Sequence, residues 1–167
     1  MRYLIIGGIA AVCLCASASF AQGGAAQGGV VRTGPAEAAI AATVALPADA
    51  KLVYVSGTVP DAIKADAPPG SVERYGDTEA QTRSVLAKIE GLLKTQGLGM
   101  GDVVMMRVFL VAPPGQARMD FAGMMRGYRA FYGTPLQPLK TARSTMQVAG
   151  LVDPDWLVEI EVTAARR

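Results

Sequence analysis

Hydrophobic residues recur along the chain at two different spacings. Across Thr78–Gln96 they fall three and four residues apart, which places them on one face of a helix. Thr78 and Gln81 have the spacing of a capping box at the start of this helix, and Gly97 is placed to end it. Across Asp120–Tyr132 a stripe of methionine and aromatic residues predicts a second helix. We assign this stripe to the hydrophobic core, because methionine commonly fills irregular gaps there.

Other segments are rich in β-branched and apolar residues and predict strands. They are Lys51–Gly57, Asp102–Val111, Arg143–Val148 and Leu157–Ala164. Asp102–Val111 is almost continuously apolar, so we expect it to be buried on both faces. The last two strands flank a Pro/Asp turn at Val152–Asp155, which predicts that they pair as a hairpin.

The order of the elements predicts an α+β fold. Ala38–Leu46 fits either a helix or a strand, and Asp61–Gly76 carries the proline and glycine residues of a loop. The order is then strand, strand, helix, strand, helix, strand, strand. Runs of strands packed on one layer of two helices form an α+β sandwich. We therefore predict a mixed sheet covered on one face by two helices, in a single domain over residues 35–167.

The N-terminal residues have a different character. A secretory signal peptide over Met1–Ala21 is predicted from Arg2, the short apolar run Leu4–Leu14 and the small residues before Ala21. The predicted cut follows Ala21, with Ala18 as the second choice. The alternative is an uncleaved anchor or a buried N-terminal helix. Gln22–Gly34 is rich in glycine and glutamine without apolar periodicity, which predicts a mobile lead-in. We expect a periplasmic or secreted protein with no membrane segment after cleavage.

Composition restricts the available chemistry. The chain has no histidine, and Cys13 and Cys15 both lie in the predicted signal peptide. The mature chain therefore cannot carry a histidine-based triad, a cysteine nucleophile, a thiolate zinc site or a disulfide. No D-x-D-type loop indicates a metal site made of carboxylates. The formal net charge of +2 gives no electrostatic reason to expect a nucleic-acid partner.

Arg143 and Glu159 are the candidate functional residues. Arginine carries a fixed charge and a planar fork of donors, which suits it to holding a carboxylate by two parallel bonds. Glu159 is the candidate for orienting a water, and Glu161 is its rival because residues two apart face the same side of a strand. The alternative is a structural ion pair between Arg143 and Glu159 on adjacent strands. Arg107 interrupts an apolar strand and is interpreted as an edge or subunit-interface charge.

Several stretches, taken in order, resemble the RidA/YjgF family of enamine/imine deaminases. They match the family's strand ending in SGQ-x-P, its helix–turn–strand block, its second helix and its C-terminal signature. These stretches are Val53–Pro60, Glu79–Leu110, Asp120–Gly133, and Ala142–Leu151 with Val158–Ala164. The resemblance implies a chorismate-mutase-like fold that assembles as a homotrimer, with sites in the clefts between neighbouring subunits.

The resemblance also implies an activity. Such a 2-iminobutanoate/2-iminopropanoate deaminase-like hydrolase converts 2-aminoacrylate and related 2-imino acids to 2-oxo acids and ammonia, without metal or organic cofactor. Arg143 resembles the family's carboxylate-binding arginine, and Glu159 the glutamate that helps to place the attacking water. Ser56 and Gly57 match strand-end residues near the substrate. Thr145 stands where cysteine is common, and its backbone carbonyl is available to hold the substrate nitrogen.

Departures from the family pattern leave other functions open. The family's Gly-Pro-Tyr has no clear match, since Gly34–Pro35 is followed by Ala36. The glutamine of the SGQ motif is Thr58, and an asparagine common in the second helix is Met125. A non-catalytic module that binds small carboxylates is therefore the alternative. Endoribonuclease, the older family label, is a third hypothesis, against which the charge, the absence of histidine and the lack of a basic–aromatic stripe argue.

Overall fold

The structure is a computed structural model of the protein that describes residues 26–27 and 29–166. The predicted signal peptide, Met1–Ala21, lies outside the described residues. Three short antiparallel strands form a first, small sheet in the order β1 (Ala26–Gln27), β2 (Val30–Thr33) and β3 (Thr43–Ala45). The lead-in predicted over Gln22–Gly34 thus needs correction, because β2 buries alternate residues against the rest of the fold.

Four longer strands form the main sheet, in the order β4-β7-β5-β6. They are β4 (Lys51–Thr58), β5 (Val103–Leu110), β6 (Ala142–Gln147) and β7 (Val158–Arg166). β5 and β6 run parallel and the other pairs are antiparallel, so the sheet is mixed. The hairpin predicted for the last two strands is wrong, because β5 lies between them. The connection from β5 to β6 is long enough for a parallel crossover, which frees the other edge of β5 for β7.

Helices cover one face of the main sheet. A single turn, α1 (Val72–Tyr75), interrupts the predicted loop and leads into α2 (Thr78–Thr95). The second helix of the core, α3 (Phe121–Tyr128), is shorter than predicted. It is capped by Asp120, whose carboxylate accepts a hydrogen bond from the Gly123 N–H at 2.8 Å. We call the helix-covered side of the sheet the inner face and the other side the open face.

The start of α2 differs from the predicted capping box. Asp77 caps the helix by accepting a hydrogen bond from the Ala80 N–H at 2.9 Å. Gln81 instead points into the protein and accepts from the Leu157 N–H at 2.7 Å. Asp77 replaces Thr78 as the cap because its short carboxylate, one residue earlier, accepts from a free N–H of the first turn. Gly97 ends the helix with a positive φ of 68°, as predicted.

The core lies between the helices and the inner face. In β5 the inner residues Met106, Val108 and Leu110 are fully buried, whereas Arg107 on the open face is exposed. The prediction that this strand is buried on both faces is therefore wrong for the single chain, because the two helices cover one face. The α2 stripe packs against these strand residues with Val85, Leu86, Ile89 and Leu93, as its spacing predicted. Leu92, which the same spacing assigns to the stripe, is 47% exposed, so that part of the prediction is wrong.

Candidate functional site

Arg143 projects from the inner face towards α3. It lies beside the buried Met106 in the register of β5 and β6, and neighbouring residues in a sheet share a face. Its guanidinium carbon lies 4.4 Å from the Tyr128 ring centroid and 6.0 Å from that of Phe121. One guanidinium nitrogen donates to the Met125 Sδ at 3.2 Å. The α3 stripe thus holds the arginine as well as filling the core.

The electrostatic surroundings of Arg143 are unusual. Within the part of the chain that the structure describes, it forms no salt bridge. Its sulfur partners are weak acceptors. Burial lowers the pKa of Arg143, with Tyr128 acting in the opposite direction, yet a guanidinium stays protonated at neutral pH. The arrangement can therefore hold an anion in place of the sulfur atoms.

The aromatic ring of Tyr128 lies beneath the Arg143 guanidinium. Burial raises its pKa to about 12, with Arg143 acting in the opposite direction. Its neutral hydroxyl donates to the Ala39 carbonyl oxygen at 3.2 Å. The Tyr128 ring is thus held by its hydroxyl at one end and by the Arg143 guanidinium over its face. A cation over an aromatic face is attracted to it, and the attraction strengthens when water is excluded. Tyr128 and Met125 lie on the helical stripe that the sequence assigns to the core, and their contact with Arg143 was not predicted.

Thr145 shares the inner face with Arg143. Its hydroxyl is buried and has no hydrogen-bond partner among the described residues. The Val148 N–H donates to the Leu110 carbonyl oxygen, so backbone groups at even positions of β6 point towards β5. Backbone groups alternate along a strand, and those of Thr145 therefore point to the free edge of the sheet. Its carbonyl is thus accessible from that edge, as the predicted role requires.

The remaining predicted residues lie on the open face. At the end of β4 the pairing with β7 shifts register between Val55 and Thr58. A Cβ atom added to Gly57 would collide with the Glu159 carboxylate oxygen, so the glycine makes room for that side chain. Ser56 lies in the same irregular stretch and is exposed. Gly57 therefore lies against Glu159, whereas Ser56 lines a shallow cleft with Arg107 and Glu161.

Glu161 faces the same side as Glu159, as predicted, but it has a partner. Its carboxylate lies 2.7 Å from the Arg107 guanidinium on the adjacent strand. This ion pair makes Glu161 the weaker rival for orienting water. The prediction that Arg107 is an edge charge is wrong, because β5 is an internal strand. Its location at a subunit interface stays a prediction.

Arg143 and Glu159 are not neighbours within one chain. β5 separates their strands, and the register places Arg143 on the inner face and Glu159 on the open face. The alternative of a structural ion pair between them is therefore wrong. Arg143 pairs with Met106 and Glu159 with Phe109, and alternate residues of β5 point to opposite sides of the sheet.

Residues 26–27 and 29–166 hold neither a cluster of metal-ligating side chains nor a membrane-crossing helix. No three side chains of the metal-ligating types histidine, cysteine, aspartate and glutamate come together there. No helix in that part of the chain is long and apolar enough to cross a membrane.

Comparison with known proteins identifies the family. The family model described as endoribonuclease L-PSP matches residues 33–166. The chain belongs to this family. It is the RidA/YjgF family that the sequence resemblance predicted, and its solved members confirm the predicted α+β fold.

Three solved structures illustrate the similarity. Escherichia coli TdcF with bound serine is 28% identical, with 73% of this chain and 85% of that chain covered and a TM-score of 0.55. The E. coli YjgF gene product is 32% identical, with 70% and 81% covered and a TM-score of 0.54. YyfB from Yersinia pestis, a Rid-family protein of unknown function, is 25% identical, with 77% and 87% covered and a TM-score of 0.59.

Proposed function

We propose that this protein hydrolyses reactive 2-imino acids, among them the tautomer of 2-aminoacrylate, to 2-oxo acids and ammonia. The observation that carries the proposal is the state of Arg143. It is a partly buried cation without an acidic partner among the described residues, held over an aromatic ring beside sulfur acceptors. Membership of the RidA/YjgF family supports the reaction class.

Arg143 binds the substrate carboxylate in this mechanism. The two carboxylate oxygens replace the methionine sulfur atoms as acceptors and form charge-assisted, parallel hydrogen bonds. The cation also draws electron density from the adjacent imine carbon, which favours addition there. Water adds to that carbon, the C–N bond of the resulting aminoalcohol breaks, and nitrogen leaves as ammonia while the carbonyl forms. The nitrogen gains the protons that the water oxygen loses, so no oxidant or reductant is needed.

Glu159 orients the water in this proposal and comes from a second copy of the chain. Within one chain it lies on the opposite face from Arg143, as described above. We propose that the protein is a homotrimer, in which the open face of one subunit meets the free edge of β6 in the next. Ser56 and Gly57 would then accompany Glu159, and the carbonyl of Thr145 would accompany Arg143.

A second candidate function is the binding of small carboxylates without catalysis. It is favoured by the absence of any acidic side chain in contact with Arg143 among the described residues. The relative TdcF is described with bound serine, a small carboxylate. Both functions require Arg143 to bind the ligand's carboxylate. They therefore differ in whether the ligand is hydrolysed and not in whether it binds.

The test follows the decay of 2-aminoacrylate generated in situ. We compare the decay with wild-type protein, with Arg143→Ala and without protein. Acceleration that is lost in Arg143→Ala is the expected result. No acceleration, together with stabilisation of wild type but not of Arg143→Ala by small carboxylates, would replace catalysis by binding. Activity that is independent of Arg143 would overturn the site.

Subunit mixing tests whether two copies build the site. Arg143→Ala and Glu159→Gln are each expected to be nearly inactive alone. In a randomly mixed trimer, some sites take the intact arginine and the intact glutamate from different copies. Mixing equal amounts should therefore restore about a quarter of wild-type activity. If the mixture stays as inactive as its components, the shared site is wrong.

We also propose that the chain is exported and cut after Ala21, on the basis of the Met1–Ala21 pattern. Mass spectrometry of protein from the periplasm or the medium should find Gln22 at the N-terminus. Intact Met1 on protein found with the cytoplasmic fraction would overturn this proposal. It would leave the site unaffected.

A further inference from the structure

Two methionines of α3 direct their sulfur atoms at Arg143. The Met125 Sδ accepts a hydrogen bond from one terminal guanidinium nitrogen at 3.2 Å, and the Met124 Sδ lies 4.0 Å from the other. The two methionines differ in burial, since Met124 is fully buried and Met125 is 8% exposed. Thioether sulfur is a weak hydrogen-bond acceptor. The proposed function lets a carboxylate displace these sulfur atoms, but it assigns no chemistry to the sulfur itself.

Solvent reaches this site beside α3. Phe121 precedes Met125 by four residues on the helix and is 45% exposed, and its ring centroid lies 6.0 Å from the Arg143 guanidinium carbon. Arg143 itself is only partly buried. A 2-imino acid that binds to the Arg143 donors, as the proposed function requires, has to displace the Met125 sulfur from them. Hydrogen peroxide is smaller than such a substrate, so the same route brings it to the sulfur.

We propose that Met125 is an oxidation site whose sulfoxide blocks the anion-binding position of Arg143. The inference rests on the proposed function, because it takes Arg143 as the residue that binds the substrate carboxylate. The sulfur lone pair attacks one oxygen of hydrogen peroxide, an S–O bond forms as the O–O bond breaks, and the second oxygen leaves as water. The sulfur loses the two electrons that the peroxide gains.

Oxidation replaces a weak acceptor by a strong one. A sulfoxide is polar where the thioether is apolar, and its oxygen accepts a charge-assisted hydrogen bond from the guanidinium. In partly buried surroundings such a bond is stronger than in water. The methionine side chain has three rotatable bonds, which allow the new oxygen to take the place of the sulfur beside Arg143. The sulfoxide of Met125 therefore competes with the substrate carboxylate for the same donor.

Met146 provides a comparison within the same chain. It is 37% exposed and therefore more accessible to peroxide than Met125. In the register of β5 and β6, Met146 pairs with Phe109 and Arg143 with Met106, which places Met146 on the open face. Its sulfoxide therefore lies on the opposite side of the sheet from the Arg143 guanidinium. Oxidation of Met146 should leave carboxylate binding unchanged.

The experiment treats the purified protein with hydrogen peroxide and follows two quantities. Mass spectrometry of peptides locates each added oxygen. Calorimetry measures the affinity for pyruvate, the 2-oxo acid that hydrolysis of 2-aminoacrylate yields. Once Met125 is oxidised, pyruvate should bind about tenfold or more weakly, because the sulfoxide takes one charge-assisted hydrogen bond from it. Methionine sulfoxide reductases specific for the two epimers should restore the affinity.

Two leucine substitutions separate Met125 from the other methionines. Leucine nearly conserves the volume of methionine and removes the sulfur, so both variants should fold. In Met125→Leu, treatment with peroxide should leave the pyruvate affinity at the value of the same variant before treatment. In Met146→Leu, the loss of affinity on treatment should be as large as in wild type.

The other results overturn the proposal in distinguishable ways. Undiminished pyruvate affinity after oxidation of Met125 would overturn it and leave the deaminase site intact. An equal loss in treated Met125→Leu would do the same, as would complete oxidation of Met146 with Met125 unchanged. If the untreated protein does not bind pyruvate, the Arg143 site is wrong, and this inference with it. A protein that binds pyruvate but does not hydrolyse 2-aminoacrylate still gives a full test, since the measured quantity is binding.

Discussion

Arg143 and Arg107 lie on neighbouring strands of one sheet, and their side chains leave it on opposite faces. Arg107 meets the Glu161 carboxylate at 2.7 Å on the open face, where its side chain is 51% exposed. Arg143 meets an aromatic ring and sulfur atoms on the inner face. The two residues carry the same charge, but among the described residues only Arg107 has an acid to neutralise it.

This contrast supports the proposal that one face of the sheet carries a structural charge and the other face a ligand-binding charge. An exposed ion pair gains little, because water and salt screen it and both side chains lose freedom. A cation in partly buried, apolar surroundings keeps an unsatisfied attraction for an anion, and each hydrogen bond that it makes there is stronger than in water. We therefore regard Arg143 as the binding residue and Arg107 as part of the surface.

The largest effect that we expect concerns the desolvation around Arg143. The buried Tyr128 has a pKa of about 12 against an ordinary value of 10.0. The folded state thus favours the neutral phenol, and this contribution is complete below pH 10 and is lost as pH rises towards 12. Relative to Tyr128→Phe, wild type should lose about 2–3 kcal/mol over that range. Urea unfolding of both proteins at pH 8 to 12 measures it.

The control for this prediction lies on the open face. Tyr54 is 74% exposed, so Tyr54→Phe should change stability by less than about 0.5 kcal/mol. At pH 8 Tyr128→Phe should cost about 1 kcal/mol, from its lost hydrogen bond to Ala39. Parallel curves for wild type and Tyr128→Phe would contradict the desolvated surroundings that we assign to Arg143.

A smaller effect is expected when each arginine is replaced by lysine. Lysine keeps the charge but has no planar fork and stacks less well on a ring. Arg143→Lys should lower kcat/KM for 2-imino acids about 10- to 30-fold, the equivalent of one charge-assisted bond. Arg107→Lys should stay within about twofold of wild type, because an exposed pair tolerates either cation. Equal losses in initial-rate assays would show that the two faces do not differ in function.

The secondary structure could be predicted where the signal was local. The α2 stripe and the strand character of β5 follow from spacing and composition within one segment. The pairing of β6 could not be predicted in the same way, because it depends on which distant strand lies beside it. The face on which Arg143 lies depends in turn on that register with Met106. Residue type thus predicted the candidate, and only the tertiary fold located it.

Arg32 shows the same limit more strongly. It stands in a Gly-rich segment with no apolar periodicity, which is typical of a mobile lead-in. The acceptors that bury it, the carbonyls of Lys140 and Gly101, are 108 and 69 residues away. No local pattern encodes such contacts, since each depends on the closure of a long loop. The burial of Arg32 was therefore not predictable from its sequence neighbours.

Glu159 can be displaced without changing its chemistry. In Gly57→Ala the new methyl group would occupy the place of the carboxylate, which has to move. Because the end of a flexible side chain moves easily, we expect stability to change by less than about 1 kcal/mol. Activity should fall about tenfold or less, a typical share for one positioned acid–base group that is partly displaced. Activity and urea unfolding of Gly57→Ala and Glu159→Gln, measured side by side, test this. Unchanged activity in both would remove Glu159 from the mechanism.

The smallest effect concerns the Arg107–Glu161 pair. Single and double replacements by alanine form a cycle whose coupling energy isolates this contact. The side chains are 51% and 34% exposed, so solvent screening should limit the coupling to about 0.2–1 kcal/mol. It should shrink further in 1 M salt, where charges are screened over about 3 Å. A coupling well above this range that resists salt would mean that the open face is dry in solution. Arg107 would then be buried in a subunit interface. The two arginines would then differ in whether an acid neutralises them and no longer in their exposure to solvent.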